Sequence, residues 1–231
     1  MEYFIIVAVL IIILVILAII CEFNMRNLKK FVKEEENRLN KYTDKYPPNL
    51  EICKNILNKL NNKNVKIEEN KESKTCLYIA ITNKIIIADV KNSYTRIQTI
   101  AHECLHSIQN RKMLLFNFIF SNIYIIYFII ISILGTLKLL PSKMLFLSIM
   151  LILSYTYFFI RSYLEDDAMI KARFLAKDYM EIANISTNEE IEEIITSYDK
   201  LNDIGIKATN YSLMLETAIK VIIVSIIFLI R

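Results

Sequence analysis

The sequence predicts a mainly α membrane protein, with about four transmembrane helices and a small α+β domain on the cytoplasmic side. Three observations lead there. Apolar residues make up 55% of the 231, yet 23% are charged. That mixture implies apolar spans separated by polar segments rather than one soluble core. Apolar runs at 3–20, 114–134, 144–160 and 213–230 are long enough, at about 1.5 Å per residue, to cross most or all of a hydrocarbon core roughly 30 Å thick. Short β-rich runs fall between 64 and 90, inside a polar stretch.

Taken in order, residues 1–21 form an N-terminal transmembrane anchor. A cleaved signal peptide fits poorly, because Glu2 rather than a basic residue precedes the run and no small-x-small site follows it. Cys21 invites a lipoprotein reading, but Ile20 stands where a small residue is needed. Arg26, Lys29, Lys30 and Lys33 come next, and the positive-inside rule places them in the cytoplasm.

Residues 22–112 form the cytoplasmic α+β part. A polar helix over 22–45 ends at Pro47-Pro48, and a second helix over 50–62 carries Leu50, Ile52, Ile56, Leu57 and Leu60 on one side. Residues 64–68 alternate as a strand. The runs 76–82 and 84–90, around Thr82-Asn83-Lys84, predict a hairpin or two edge strands. Asn92 or Ser93 then caps a helix over 94–111, whose Ile97, Ile100, Ala101, Cys104, Leu105 and Ile108 form a broad apolar face.

Residues 113–160 make a two-span hairpin with a turn over 135–143, and it returns the chain to the basic side at Arg161. Arg111, Lys112, Arg161, Lys171 and Arg173 lie on that side, against Lys138 and Lys143 on the other. Residues 161–212 are polar and helical. They continue the third span to about 184, then start a new helix to about 202 at a capping box of Ser186 or Thr187 with Glu189 or Glu190. Residues 213–231 are the last span. Within it Glu216 and Lys220, at i, i+4 spacing, read as a mutual pair with Lys220 snorkelling, against the alternative of a polar pathway.

Composition excludes several functions. Two glycines and three prolines leave little room for Gly-rich phosphate loops, and a net charge of +4 with its basic residues at membrane flanks argues against a nucleic-acid partner. Cys21, Cys53, Cys76 and Cys104 show no CxxC spacing, so a reducing compartment is the simpler setting.

The chemistry lies in His102-Glu103-Cys104-Leu105-His106, which holds both of the chain's histidines. An i, i+4 pair on a helix faces one way, so the two imidazoles can grip one metal ion while Glu103 holds a water. A catalytic zinc usually takes three protein ligands, and no histidine remains. The metzincin extension is absent, with Gln109 and Lys112 in place of its glycine and third histidine. Cys104 points to another helix face. The hairpin returns Tyr163-Leu164-Glu165-Asp166-Asp167-Ala168 beside the motif, so Glu165 is the preferred third ligand, with Asp166 or Asp167 as alternatives. One zinc ion per chain is expected, with Glu103 as general base.

The His102–His106 motif followed by Ser107-Ile108-Gln109, the two-span hairpin and the Glu-x-Asp-Ala element at Glu165, Asp167 and Ala168 resemble the YugP-like neutral zinc metallopeptidases of bacterial membranes. More distantly they resemble gluzincin membrane proteases. The resemblance covers nearly the whole chain. It implies a zincin-like catalytic domain, Glu165 as third zinc ligand, and peptide or membrane-protein substrates met at the cytoplasmic face of a multi-pass cell-membrane protein. Two positions depart from the pattern: Leu105 where the family has glycine, and Met169 where gluzincins place an acid that orients a histidine. Runs 76–82 or 84–90 offer edges for pairing with an extended substrate. Arg173, Tyr163 and Tyr179 are the polar residues within reach for an oxyanion. A site-2-type intramembrane protease is excluded because glycine occurs only at 135 and 205, and a di-iron oxidase because two histidines are too few. The competing reading is a catalytically inactive zinc-binding scaffold.

Overall fold

The computed structural model describes residues 2–20, 25–70, 72–73, 75–89 and 93–230; Cys21 and Asn92, named above, lie outside these. The protein is mainly helical with one small sheet. In chain order its elements are α1 (Glu2–Ile20), α2 (Met25–Thr43), α3 (Asn49–Lys59), β1 (Lys66–Asn70), β2 (Leu77–Ile79), β3 (Lys84–Ala88), α4 (Arg96–Ile108), α5 (Arg111–Thr136), α6 (Lys143–Ala183) and α7 (Asn188–Ile230). Helices α1, α5, α6 and α7 are each long and apolar enough to cross a membrane. The chain gathers into two units. One comprises α1, Phe116–Tyr163 and α7 from Lys207 onward; the other runs from α2 to Leu115 and takes in Leu164–Ile206.

The first unit is built from the apolar helices. Tyr124, Ile131, Leu147, Met150, Val221, Val224 and Phe228 form its core, and Tyr3, Ile6 and Leu10 of α1 pack on it. Its outer surface stays apolar: Phe4 is 65% exposed, Ile152 65% and Ile133 53%, an outer face too large and apolar to suit water. Glu216 and Lys220 pair with each other. The Lys220 ammonium sits over the stacked rings of Tyr124 and Tyr157, at 4.9 and 5.8 Å. Cation–π attraction in an apolar setting offsets part of the desolvation cost, so the side chain stays inside.

Gly135 lets α5 and α7 approach closely. A Cβ there would meet a Phe228 ring carbon at 2.6 Å and Ile227 at 3.3 Å, and Phe228 is buried with little room to move. Gly135→Ala is therefore expected to cost about 1–3 kcal/mol through overpacking. Thermal unfolding in detergent measures this, and an unchanged midpoint would show that the helices separate freely.

In the second unit the sheet order is β1-β3-β2, with β1 parallel to β3 and β2 antiparallel to it. The runs at 76–82 and 84–90 do form a hairpin, but β3 is the central strand rather than an edge. Its KIIIA sequence explains this: Ile85, Ile87 and Ala88 are fully buried, whereas β1, with Glu68 and Glu69, stays exposed at the margin. Asn83, with φ 48°, supplies the left-handed turn residue.

Two helical boundaries differ from the sequence pattern. The helix expected over 94–111 breaks at Gln109, which is extended (ψ 161°), and the Asn110 side chain then accepts the Lys112 N–H at 3.0 Å to start α5. The segment ending near 202 and the last span, expected as separate helices, form one 43-residue helix. Gly205 is the only breaker between them, and a lone glycine costs only about 1 kcal/mol. Thr187 and Glu190 form the reciprocal capping box at its start, at 3.2 and 3.3 Å.

Arg96, at the first turn of α4, is 1% exposed. Its guanidinium donates to Asn49 Oδ1 and to the carbonyls of Thr43 and Tyr46, each at 2.8 Å, and to that of Pro47 at 3.1 Å. It thereby fastens the Pro47-Pro48 bend to the helix that carries the motif. Arg96→Met would leave these acceptors unsatisfied, and a loss of about 3 kcal/mol is expected in chemical denaturation. A smaller loss than that of an average surface substitution would show that the bend holds itself.

Candidate metal centre

Helix α4 reads RIQTIAHECLHSI, and its Ile97, Ile100, Ala101, Cys104 and Leu105 are buried. These follow the i, i+3, i+4, i+7, i+8 stripe that pins a helix to a core. The core also takes Ile52, Cys53 and Ile56 from α3, and Ala168, Ala172 and Ala176 from α6. The three alanines, spaced by four, leave space for close packing. Leu105, standing where the family resemblance implies glycine, fills this core at 6% exposure.

With that stripe turned inward, His102 and His106 project together along one side of α4. Their Nε2 atoms are 3.0 Å apart and their rings perpendicular, at 89°. Glu165 arrives from α6, its Oε2 lying 3.4 Å from His102 Nε2 and 3.6 Å from His106 Nε2. Helical phase explains why Glu165, and not its neighbours, faces α4: it shares a stripe with Ala168, Ala172 and Ala176, which are buried. Among the described residues these three form the one group of potential ligands whose donor atoms all lie within 4.8 Å of one another. Neither Asp166 nor Asp167 belongs to it. Asp167 instead pairs with Lys171 and accepts from Gln109 Nε2 at 3.1 Å.

The donor set fits zinc. Two imidazole nitrogens and a carboxylate oxygen are common zinc ligands, and bonds of about 2.0–2.1 Å in tetrahedral directions put ligand atoms about 3.3 Å apart. The observed separations of 3.0, 3.4 and 3.6 Å bracket that value. The side chains of His102, His106 and Glu165 are 19%, 11% and 14% exposed, so the cluster is sheltered but reachable. Burial disfavours a charged His106, but hydrogen bonding and charge from Glu165, with help from Gln109 and Glu103, outweigh it and raise its pKa. Metal and proton therefore compete for this ring, and zinc affinity should weaken as pH falls through that range. A competition titration at several pH values measures the effect, and a pH-independent affinity would contradict it.

Glu103 is 7% exposed, and its Oε2 accepts the backbone N–H of Tyr78 at 2.6 Å. Tyr78 pairs with Ile85 across β2 and β3. Because its N–H is given to Glu103, this is a pair that does not exchange ladder bonds, and the edge of β2 away from β3 is turned toward α4. Among the described strands only β2 offers an edge beside the motif, since β3 has strands on both sides.

Other residues considered from the sequence do not belong to the cluster. Arg173 is held by Asp199 at 2.6 Å and stacks on Phe174. Tyr179 is buried against Tyr46, and Tyr163 belongs to the other unit. Cys104 Sγ lies 3.7 Å from Cys53 Sγ in the core; that contact and burial push its thiol well up, so it is no thiolate ligand.

The sequence marks Gln109 as the residue in place of a metzincin glycine and as the end of Ser107-Ile108-Gln109, and assigns it no role in the site. Its side chain reaches His106 Nδ1 at 2.8 Å, the Leu164 carbonyl at 2.8 Å and Asp167. Its i+3 spacing from His106 was the available signal, since that places Gln109 over the last turn of α4. No family model, curated protein or solved structure matches this chain.

Proposed function

We propose that the protein is a membrane-embedded zinc metalloendopeptidase that hydrolyses peptide bonds in peptide or membrane-protein substrates near the cytoplasmic face of the cell membrane. The observation that carries this reading is the convergence of His102, His106 and Glu165 within 4.8 Å, with Glu103 one residue from the first ligand. His102, His106 and Glu165 would hold a zinc ion, which when bound would supply Lewis acidity and make a water acidic enough to attack near neutral pH. Glu103 takes up the proton released on attack and returns it to the departing amine. The Tyr78 N–H holds the Glu103 carboxylate in place. The edge of β2 offers an extended substrate backbone a strand to lie beside.

A bilayer would supply the solvent that the exposed apolar stretches of α1, α5, α6 and α7 require. The Lys and Arg flanking the spans on the 22–112 and 161–212 segments, against Lys138 and Lys143 in the opposite turn, orient these segments to the cytoplasm.

The direct test is peptide cleavage by the purified full-length protein in detergent. Treatment with a strong chelator is expected to abolish cleavage, and one equivalent of zinc per chain to restore it. If the protein binds zinc tightly yet cleaves no peptide, the inactive scaffold is the correct reading.

A further inference from the structure

We infer that Gln109 is a positioning residue that sets both the tautomer of His106 and the placement of Glu165. The inference rests on the reading of His102, His106 and Glu165 as metal ligands. The side-chain amide has one end that only donates and one that only accepts. Its nitrogen end faces two acceptors, the Leu164 carbonyl at 2.8 Å and an Asp167 carboxylate oxygen at 3.1 Å. A carbonyl cannot donate, so the Leu164 contact by itself fixes which end of the amide is the nitrogen. The oxygen end must therefore face His106 Nδ1, 2.8 Å away, and that nitrogen must carry the proton.

A neutral imidazole has one N–H, so a proton on Nδ1 leaves the Nε2 lone pair unprotonated. That lone pair points to the space shared with His102 Nε2 and Glu165 Oε2. Gln109 therefore prepares His106 to ligate through Nε2 before any ion arrives. The same amide ties the carbonyl of Leu164, the residue next to Glu165, to the end of α4. One side chain, placed just past α4 by the extended backbone at 109, thus fixes one ligand's protonation and another's position. Here a neutral amide backed by Asp167 and Lys171 performs the orientation that a carboxylate often provides at zinc sites.

The test uses the full-length protein in detergent micelles, labelled with 15N-histidine. The chain has only two histidines, so two imidazoles give the entire signal. In the metal-free protein, at a pH where both rings are neutral, His106 is expected as the Nδ1–H tautomer. Gln109→Ala is expected to lose that preference and to weaken zinc binding about 10–100-fold in competition with a chromophoric chelator. The pair Gln109→Glu with Asp167→Asn keeps an accepting oxygen on His106 Nδ1 and reverses only the contact with residue 167, at the loss of the Leu164 contact, and it should return His106 to Nδ1–H.

An Nε2–H His106 in the wild type would overturn the inference. So would a Gln109→Ala protein that keeps both the wild-type tautomer and zinc affinity. If Gln109→Ala does not fold, the paired variant decides by its tautomer alone: Nδ1–H supports the role and Nε2–H refutes it. If the wild type binds no zinc, the metal reading fails, while the tautomer measurement still judges Gln109.

Discussion

Glu103→Gln should leave zinc bound at one equivalent per chain and reduce peptide cleavage by about 10²–10⁴-fold. Glutamine matches glutamate in size, and its amide oxygen can still accept the Tyr78 N–H that Glu103 accepts at 2.6 Å. Packing around this 7%-exposed side chain is therefore preserved, and only the capacity to take a proton is lost. Single-turnover cleavage, zinc analysis and thermal unfolding on the same preparation separate these effects. Wild-type cleavage by the variant would end the peptidase proposal. A variant that had also lost its zinc would show that Glu103 supports the site rather than the proton transfer. The intact but inactive protein is also suited to trapping substrates in its native membrane.

Glu165→Ala should weaken zinc binding by more than about 100-fold, because removing a partner outside the ligand set already costs about 10–100-fold at zinc sites. Two imidazoles from one helix would remain, with no anionic oxygen to offset the ion's charge. The same substitution should change how the metal-free protein responds to pH. His106 has a raised pKa in the folded protein, with Glu165 the largest of the influences that raise it against the opposing effect of burial. The folded state thus holds this proton more tightly than the unfolded state, whose histidine titrates near about 6.5. The resulting stabilisation is fully present below that pH and is lost as pH rises through the folded value. Glu165→Ala should lose much of this acid-side gain. Denaturation midpoints between neutral and mildly acidic pH, with chelator present, measure it. Parallel curves for the two proteins would mean that Glu165 does not hold charge against His106.

Local sequence signals were legible wherever a short stretch settles its own fate. The four apolar runs, the Thr187–Glu190 capping box, the hairpin at Asn83 and the inward stripe of α4 each follow from residue type and spacing within a turn or two. Boundaries were less legible. Nothing in the local pattern around Gly205 says whether one helix or two crosses it, because a single glycine is a small cost that packing can override. The break at Gln109 was equally hidden, since its signal is an Asn110 side chain that starts a new helix rather than a proline that ends the old one.

The His-Glu-x-x-His spacing and the count of two histidines were enough to name His102, Glu103 and His106, because a helix fixes the relation of residues four apart. Other features depend on residues distant in sequence, and only the folded chain could bring them together. They include β1 beside β3, the carbonyls that close on Arg96, the Tyr78 N–H against Glu103, and Gln109 reaching both His106 and Leu164. Spacing along the chain carries no information about such meetings. They are set by which side chains a shared core can bury and by which polar atoms must then find a partner.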